Sequence, residues 1–342
     1  MKVTSVIFLI VAIVLTFGGF FACKYARRIA PNDVAIDGET IKDGTIFNEI
    51  EYSDQNISRI ALDLKDCTLT IHGNSKTSYA KLKNFEPNKY IGSVSKKTLT
   101  ISNNISITDY LNLDGSGAKF AGVWRTLRSI VLGDGKADRE VDLYIANEEE
   151  IKQIALTLSN VTLRLIDVSQ TCDISVTASK SDIEFNGISP SSIKFEGSSS
   201  NISLLSIATP KLTFETKDGS INMRKITGEK MSFDVDKTDI NMIETSFETL
   251  DIKQTEGDIN ISTPYSKDNF QRSIVLSNGE IKVGTLSDDE PVSIGSSDTY
   301  KNDTLSSYIN IEIEKGSLTI RYGEEIIPPK TEDSTDSGSQ QA

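Results

Sequence analysis

Residues 211–263 contain three consecutive copies of one sequence unit, KLTFETKDGSINMRKITGEKMSFDVDKTDINMIETSFETLDIKQTEGDINIST. The copies are aligned by Leu212, Met231 and Leu250, which recur at equal steps along the chain. Apolar and polar residues alternate inside each copy, which is the two-residue period of a β-strand with one buried face. A constant step of roughly 20 residues combined with this alternation predicts an all-β fold, a β-solenoid or β-helix-like stack of rungs.

The same rhythm continues on both sides of this stretch. Each unit contains two strand-like runs, and one polar or charged residue directly precedes the second run. These residues are separated by 22, 19, 19, 19, 19 and 22 positions, and they are Asn160, Asp182, Asn201, Ser220, Asp239, Asp258 and Glu280. Each rung is therefore predicted to be a strand, a tight turn, a second strand and a return loop, with Gly219 and Gly257 available for positive φ in the turns. We expect the rungs to occupy residues 58–327, and the run from Tyr308 to close the array near Tyr322.

Alternation also predicts which side chains face outward. The apolar residues of the second strands should fill the core, and Asn222, Asn241 and Asn260 should form an outward ladder about 4.8 Å apart. Amides at that spacing can bond to one another along the stack, which would make the ladder a stabilising feature. The alternative is a polar strip that binds a ligand.

The amino terminus has the composition of a membrane anchor. Residues 3–23, VTSVIFLIVAIVLTFGGFFAC, carry no charge, and as a helix they would be roughly 31 Å long, enough to cross a bilayer. We therefore predict one transmembrane helix within residues 1–28, which end in a basic flank. The alternatives are a cleaved signal peptide, although no small-residue cleavage site is evident, and a lipoprotein signal ending at Cys23. The basic residues after the segment favour a cytoplasmic main domain by the positive-inside bias, but only by a charge or two.

Three further segments depart from the repeat pattern. Residues 29–57 are predicted to be a polar approach to the first rung, and residues 328–342 a disordered tail. Residues 104–138 are predicted to be an insertion that caps the first rungs. An interfacial membrane helix and a partner-binding helix are the alternatives, because an apolar stripe recurs at helical spacing at Phe120, Val123, Trp124, Leu127, Ile130 and Val131.

Composition excludes several classes of function. The formal charge of −13 argues against nucleic acid as a partner, because phosphate binding needs a basic stripe. Three cysteines without a CxxC pair make neither a disulfide framework nor a zinc site. Cys67 and Cys172 lie in strand-like runs and are expected to be small buried hydrophobic residues.

No catalytic, cofactor-binding or metal-binding constellation is predicted. The one histidine, His72, ends a strand without a nucleophile motif beside it, so we expect a structural or merely exposed role. The carboxylates of residues 148–150 and 288–290 fall in expected turns, which favours solvated charge over acid–base chemistry. Calcium at the loop 288–303 is the remaining metal hypothesis, although the GGxGxDxUx repeat is absent. The sequence therefore predicts a protein that is not an enzyme.

The pattern as a whole resembles a known bacterial family. The motif LxLxxCxLxI at 62–71, VxLYI at 141–145 and the repeated (Ser/Gly)-(Asp/Asn/Ser)-Ile-x-(Met/Leu/Ile) units are similar to the bacterial "putative adhesin" family of β-strand-repeat envelope proteins. Ala146 stands where that family commonly has proline. The resemblance implies a single-pass or secreted envelope protein, some of whose relatives are linked to envelope stress, and it implies no catalytic residues.

Three functional hypotheses follow. The first is a non-enzymatic protein of the cell membrane, anchored by a single pass, whose extracytoplasmic solenoid acts in binding, adhesion or scaffolding with an envelope polymer or protein. The second is a cytoplasmic, membrane-tethered scaffold that polymerises end to end, as bactofilins do. The third is a polysaccharide-active β-helix enzyme. The sequence leaves the ligand, oligomeric state and lipidation of Cys23 open.

Overall fold

The computed structural model describes residues 34–36, 39–41, 47–52, 57–85, 90–103, 139–146, 150–168, 172–288 and 290–327. The predicted anchor, the 104–138 insertion and the tail 328–342 lie outside these residues. The strands are β1 Val34–Ile36, β2 Glu39–Ile41, β3 Phe47–Glu51, β4 Arg59–Ser75, β5 Tyr79–Lys83, β6 Ile91–Ser95, β7 Thr98–Ser102, β8 Glu140–Ala146, β9 Gln153–Ile166, β10 Asp173–Ser179, β11 Asp182–Asn186, β12 Ser192–Ile243, β13 Thr249–Tyr265, β14 Gln271–Thr285, β15 Val292–Gly295, β16 Ser297–Tyr300 and β17 Tyr308–Glu325, with one 3₁₀ turn at Lys267–Asn269.

The described chain is all-β, and its strands stack as parallel rungs. Ile174 in β10 pairs with Ile193 in β12, and Ile183 in β11 pairs with Ile202, so both halves of one rung lie in register on the next. β12 runs without interruption through three such rungs. The repeat length predicted from the sequence is therefore the number of residues that separates two side chains stacked on one another in adjacent rungs.

Each rung turns at corners where one residue adopts a left-handed backbone. The first corner, between the two strand halves, has φ of 48–55° at Asn160, Lys180, Ser199, Asp218 and Lys237. The second corner has φ of 52–65° at Asp167, Gly187, Ser206, Lys225 and Glu244. Asp218, and not the neighbouring glycine at 219, carries the positive φ, so that part of the turn prediction was wrong. Gly219 is needed for another reason, because a Cβ there would lie 2.2 Å from the carbonyl oxygen of Ser200 in the adjacent rung.

The core is a set of apolar columns that run along the stack. One column contains Phe195, Phe214 and Phe233, whose ring centroids are 5.2 and 4.8 Å apart with the planes 9° from parallel. Each of these rings is at most 1% exposed. Offset stacking of aromatic rings adds to the free energy of burial, so these three rungs are joined through their interior as well as through the backbone.

The order of the last rungs differs from the order along the chain. β17 lies between β13 and β14, with Ile311 paired to Ile252 on one side and to Ile274 on the other. The prediction that the run from Tyr308 closes the array was therefore wrong. The outermost rung is β14, where Arg272 is 7% exposed and forms a 3.1 Å ion pair with Asp298 of β16. A buried guanidinium needs such a partner, and β16 supplies it by pairing antiparallel with the free edge of β14.

The register of β9 also differs from the predicted alignment. Asp182 is aligned with Thr162 and not with Asn160, so the true step at this point is shorter than the predicted one. Asn160 is a corner residue, as Lys180 is in the next rung. In this stretch the corner residues therefore recur at a more constant interval than the polar residues that precede each second strand.

Antiparallel strands occupy both ends of the stack. β15 and β16 pair antiparallel to β14 at one end. At the other end β7 and β8 together form one rung on β4, and β6, β5 and β3 pair antiparallel beyond them. β7 ends at Ser102 and β8 begins at Glu140, so the described chain leaves and rejoins this rung at its corner, and the expected polar approach contributes β3 to the sheet.

The structure leaves the predicted anchor untested. Among the described residues, no helix has the length and apolar character needed to cross a membrane. The uncharged segment at residues 3–23 is not among them.

Candidate binding face

The outward side chains of the second strands form one continuous surface, which we call the second-strand face. It is built on the first corner, where small buried hydroxyl residues follow the left-handed residue. Ser181, Ser200 and Thr238 are between 1% and 8% exposed, and each hydroxyl donates to the carbonyl two residues earlier, at 2.9–3.0 Å. Ser181 Oγ also accepts from the Val161 amide of the adjacent rung at 3.2 Å. These bonds satisfy corner groups that would otherwise be buried without partners, and they make the corners rigid.

Beside the corner, the polar residues that set the repeat form hydrogen bonds from rung to rung. Asn201 Nδ2 donates to Asp182 Oδ1 at 2.9 Å, and Ser220 Oγ donates to Asn201 Oδ1 at 3.1 Å. Further along, the backbone amide of Asp258 donates to Asp239 Oδ1 at 3.0 Å. We call this column the corner ladder. It provides the stabilising polar ladder that the sequence had assigned to the asparagines one column away.

The asparagine column itself lies free of such bonds. Asn241 is in register with Asn260, and Asn260 with Thr319, while Ser203 and Asn222 precede them at the same spacing. These five side chains are exposed or half-exposed, and we call them the amide stripe. Within the described part of the chain, none of the five forms a side-chain hydrogen bond. The expectation that the amides bond along the stack was wrong, and their donors and acceptors face solvent.

Charged residues mark the limits of the amide stripe. In the same column, Glu184 precedes Ser203 and faces Arg164 at 3.5 Å. At the other end Lys282 follows Thr319 and faces Glu280 at 3.3 Å. The stripe is therefore an uncharged window of five rungs between two ion pairs, in a chain whose formal charge is −13.

His72 lies on the same face, near the opposite end of the stack. Its ring stacks on Tyr144 at a centroid distance of 4.7 Å, and Tyr144 stacks on Tyr79 at 4.5 Å. Asp142 Oδ1 is 3.9 Å from His72 Nε2, and Lys81 Nζ lies 5.3 Å from the Tyr79 ring centroid. Burial, with Asp142 and Tyr79 nearby, raises the pKa of Tyr144. Stacking of these rings across neighbouring strands stabilises the sheet, and it covers both faces of Tyr144.

The carboxylates considered for chemistry or calcium are dispersed. Glu150 and Glu290 are exposed, and the Thr285 amide donates to Asp288 at 2.6 Å, which lowers the pKa of that carboxyl. Asp298 is held by Arg272 at 3.1 Å and by Lys267 at 3.4 Å. In the ranges that the structure describes, no three His, Cys, Asp or Glu side chains are grouped as ligands for a metal ion.

Both described cysteines are buried thiols, which confirms their predicted packing role. Burial raises the pKa of Cys67 to about 12 and that of Cys172 to about 11. A thiol with so high a pKa is neutral at physiological pH and is a poor nucleophile.

Sequence reasoning missed the corner hydroxyls and the Arg272–Asp298 pair. The hydroxyl residues are visible in the aligned tetrapeptides SKSD, SSSN and DKTD, where a small residue always follows the corner position. The ion pair has no such local signal, because its partners are 26 residues apart and belong to antiparallel strands.

These features define a β-repeat protein made of stacked, in-register rungs. The chain belongs to the Toastrack DUF4097 family, whose model matches residues 32–321. This assignment confirms the family resemblance drawn from the repeat motifs.

Three solved structures are similar to the chain. A "putative adhesin" from Bacteroides fragilis is 8% identical, with a TM-score of 0.45, and the match covers 81% of this chain and 96% of that chain. A "putative lipid binding protein" from Parabacteroides distasonis is 12% identical, with a TM-score of 0.39 and coverage of 82% and 95%. A "putative cell adhesion protein" from Clostridium sporogenes is 13% identical, with a TM-score of 0.20 and coverage of 81% and 98%. No curated protein matches the sequence.

Proposed function

We propose that this chain is a non-enzymatic binding protein of the cell envelope, held by one amino-terminal transmembrane helix with its β-stack on the extracytoplasmic side. The uncharged residues 3–23 supply the anchor. The stack supplies a long, rigid surface, and an extended surface of this kind suits recognition of a polymer or a protein.

The observation that carries this proposal is the amide stripe. A solenoid face that served only to stabilise its own stack would use its polar groups internally, as the corner ladder does. Here Asn222, Asn241 and Asn260 present unbonded amides in register on a rigid backbone. Solvent-facing polar groups held in register by a hydrogen-bonded sheet suit a binding surface, because the backbone that carries them loses little conformational entropy when a ligand binds.

The arrangement of the ends favours this proposal over end-to-end polymerisation. A parallel stack grows by adding identical rungs, which requires an uncovered parallel edge at both ends. Here β14 is followed by antiparallel β15 and β16, and β6 and β3 pair antiparallel at the opposite end. The dispersed and exposed carboxylates likewise give less support to a polysaccharide-active enzyme, which uses two carboxyl groups on either side of one bond.

Protease accessibility tests the proposed location. The full chain is expressed with an epitope tag after Ala342, and intact and lysed cells are treated with protease. We expect the tag to be lost from intact cells, because the β-stack and its tail lie outside. A cytoplasmic protein with its own tag is the control, and it must survive until lysis.

The opposite result would overturn the proposal. If the tag survives in intact cells and disappears on lysis, the β-stack is cytoplasmic, and the positive-inside charges after the anchor are the better guide. Membrane attachment is tested separately by extraction with alkaline carbonate. Release of the full-length chain into the soluble fraction would contradict a transmembrane anchor.

A further inference from the structure

We propose that the amide stripe binds an uncharged, extended glycan chain that runs along the axis of the stack. This inference rests on the proposed envelope function and names the class of ligand that its binding face takes. The stripe consists of Ser203, Asn222, Asn241, Asn260 and Thr319.

The first argument is the hydrogen-bonding chemistry of the stripe. Each asparagine offers two N–H donors and a carbonyl acceptor, and each hydroxyl offers a donor and an acceptor. A sugar hydroxyl also donates and accepts, so both partners are satisfied by the same set of groups. None of the five side chains has a side-chain hydrogen bond within the described residues, so a ligand exchanges hydrogen bonds with water and breaks none within the protein. The corner ladder beside the stripe stays bonded and holds the strands in place.

The second argument is charge. The stripe has no ionisable side chain over five rungs, although the chain carries a formal charge of −13. A polyanion would be repelled by the net charge of the protein, and a polycation would find no carboxylate in the stripe. Asp239 and Asp258 lie one column away on one side, and Arg224 and Arg321 lie one column away on the other, so the flanking charges are of both signs. A neutral polymer matches this surface best.

The third argument is the repeat and its length. Neighbouring stripe residues are one strand spacing apart, about 4.8 Å, so the five rungs span roughly 19 Å. An extended β-1,4-linked hexose chain advances by a similar distance per sugar, and because its rings alternate in orientation, its hydroxyl edges recur at every second rung. The ion pairs at Glu184 and Lys282 end the window on both sides. The aromatic stack at His72 lies outside it, and both faces of its central ring, Tyr144, are occupied by His72 and Tyr79.

Binding is tested with the full chain in nanodiscs of phosphatidylcholine, which avoids detergents that have sugar headgroups. The probes are the β-1,4-linked hexamers cellohexaose and chitohexaose, their shorter oligomers, and hexagalacturonic acid as an anionic counterpart. Affinity is measured by isothermal titration calorimetry. We expect at least one neutral hexamer to bind, with affinity rising from dimer to hexamer because more rungs are engaged.

Variants locate the site. Asn241→Ala removes the central amide and should weaken binding by roughly three- to tenfold, and Asn222→Ala combined with Asn260→Ala should weaken it further. The matched control is Asn310→Ala. Asn310 is an outward residue of the first-strand half whose amide donates to Asp251 at 3.0 Å. It should leave the affinity unchanged. Thermal unfolding by circular dichroism checks that every variant is folded.

Three outcomes would overturn this inference. They are a failure of both neutral hexamers to bind, equal binding by the stripe variants and wild type, and tighter binding of hexagalacturonic acid that weakens with added salt. Each can occur while the protease experiment still places the stack outside the cell, so the failure of this inference is distinguishable from the failure of the proposed function.

Discussion

Substituting Gly316 with alanine tests whether the rungs are in direct contact at their corners. Gly257, Gly316 and Gly279 form a column at the first corner of β13, β17 and β14. Gly316 has φ of 148°, and a Cβ there would lie 1.9 Å from the carbonyl oxygen of Gly257. Because tolerated contacts of Cβ begin near 3.0 Å, the two rungs would have to move apart by about 1 Å.

The expected cost follows from these distances. A non-glycine residue in such a backbone conformation costs about 1–3 kcal/mol. A separation of about 1 Å also breaks roughly two inter-rung hydrogen bonds, each worth about 1 kcal/mol. The variant should therefore lose about 3–5 kcal/mol of unfolding free energy, a large part of the about 5–15 kcal/mol that a typical protein has. For a domain of this size the loss lowers the Tm by roughly 6–20 °C.

The matched control is Gly295→Ala in β15. Gly295 has φ of 94°, but a Cβ there meets no heavy atom within 4 Å. It should cost only the backbone term, about 1–3 kcal/mol. Thermal and urea unfolding of the full chain, followed by circular dichroism, compares the two variants. Equal losses would refute the reasoning, because the contact with Gly257 would then contribute nothing.

Three further predictions concern the core, the thiols and pH. Phe214→Ala, in the middle of the stacked phenylalanines, should cost about 3–5 kcal/mol in urea unfolding, and a loss below about 1 kcal/mol would contradict its central position. Cys67 and Cys172 should not react with a thiol reagent at neutral pH until the stack unfolds, as mass spectrometry of the labelled peptides can show. The hydroxyls of Ser192 and Ser191 lower the pKa of Asp173. Its ionised form therefore stabilises the fold above the unfolded pKa of about 3.9, and this contribution is lost as pH falls through the folded pKa. Asp173→Asn should unfold with a smaller dependence on pH than wild type between about pH 6 and 2, and an unchanged dependence would count against these hydrogen bonds.

The rungs of β12 and β13 could be predicted because their signal is local. Leu212, Met231 and Leu250 recur at equal steps, and alternation alone decides that they face inward. The buried role of Cys67 follows from the same alternation. The predicted alignment of Asn160 with Asp182 was wrong because it was based on the polar character of both residues. Asn160 instead occupies a corner, where it adopts a left-handed backbone.

The candidate site was only half visible in the sequence. Alternation placed Asn222, Asn241 and Asn260 outward and in one column, which the structure confirms for the pair at 241 and 260. Whether these amides bond to one another depends on small differences in side-chain position. The bonds formed instead one column away, where Asn201 reaches Asp182.

The sequence by itself determined the class of fold, the length of the repeat and the inward and outward faces, because each depends on residues close together in the chain. Only the tertiary structure decided the order of the rungs. β17 pairs with β13 on one side and with β14 on the other, and β14 at the outer edge carries the Arg272–Asp298 pair. It also decided which polar column forms hydrogen bonds from rung to rung and which column faces solvent. Both features depend on contacts between adjacent rungs. The residues in contact are brought together by stacking, and the sequence around each of them gives no sign of its partner.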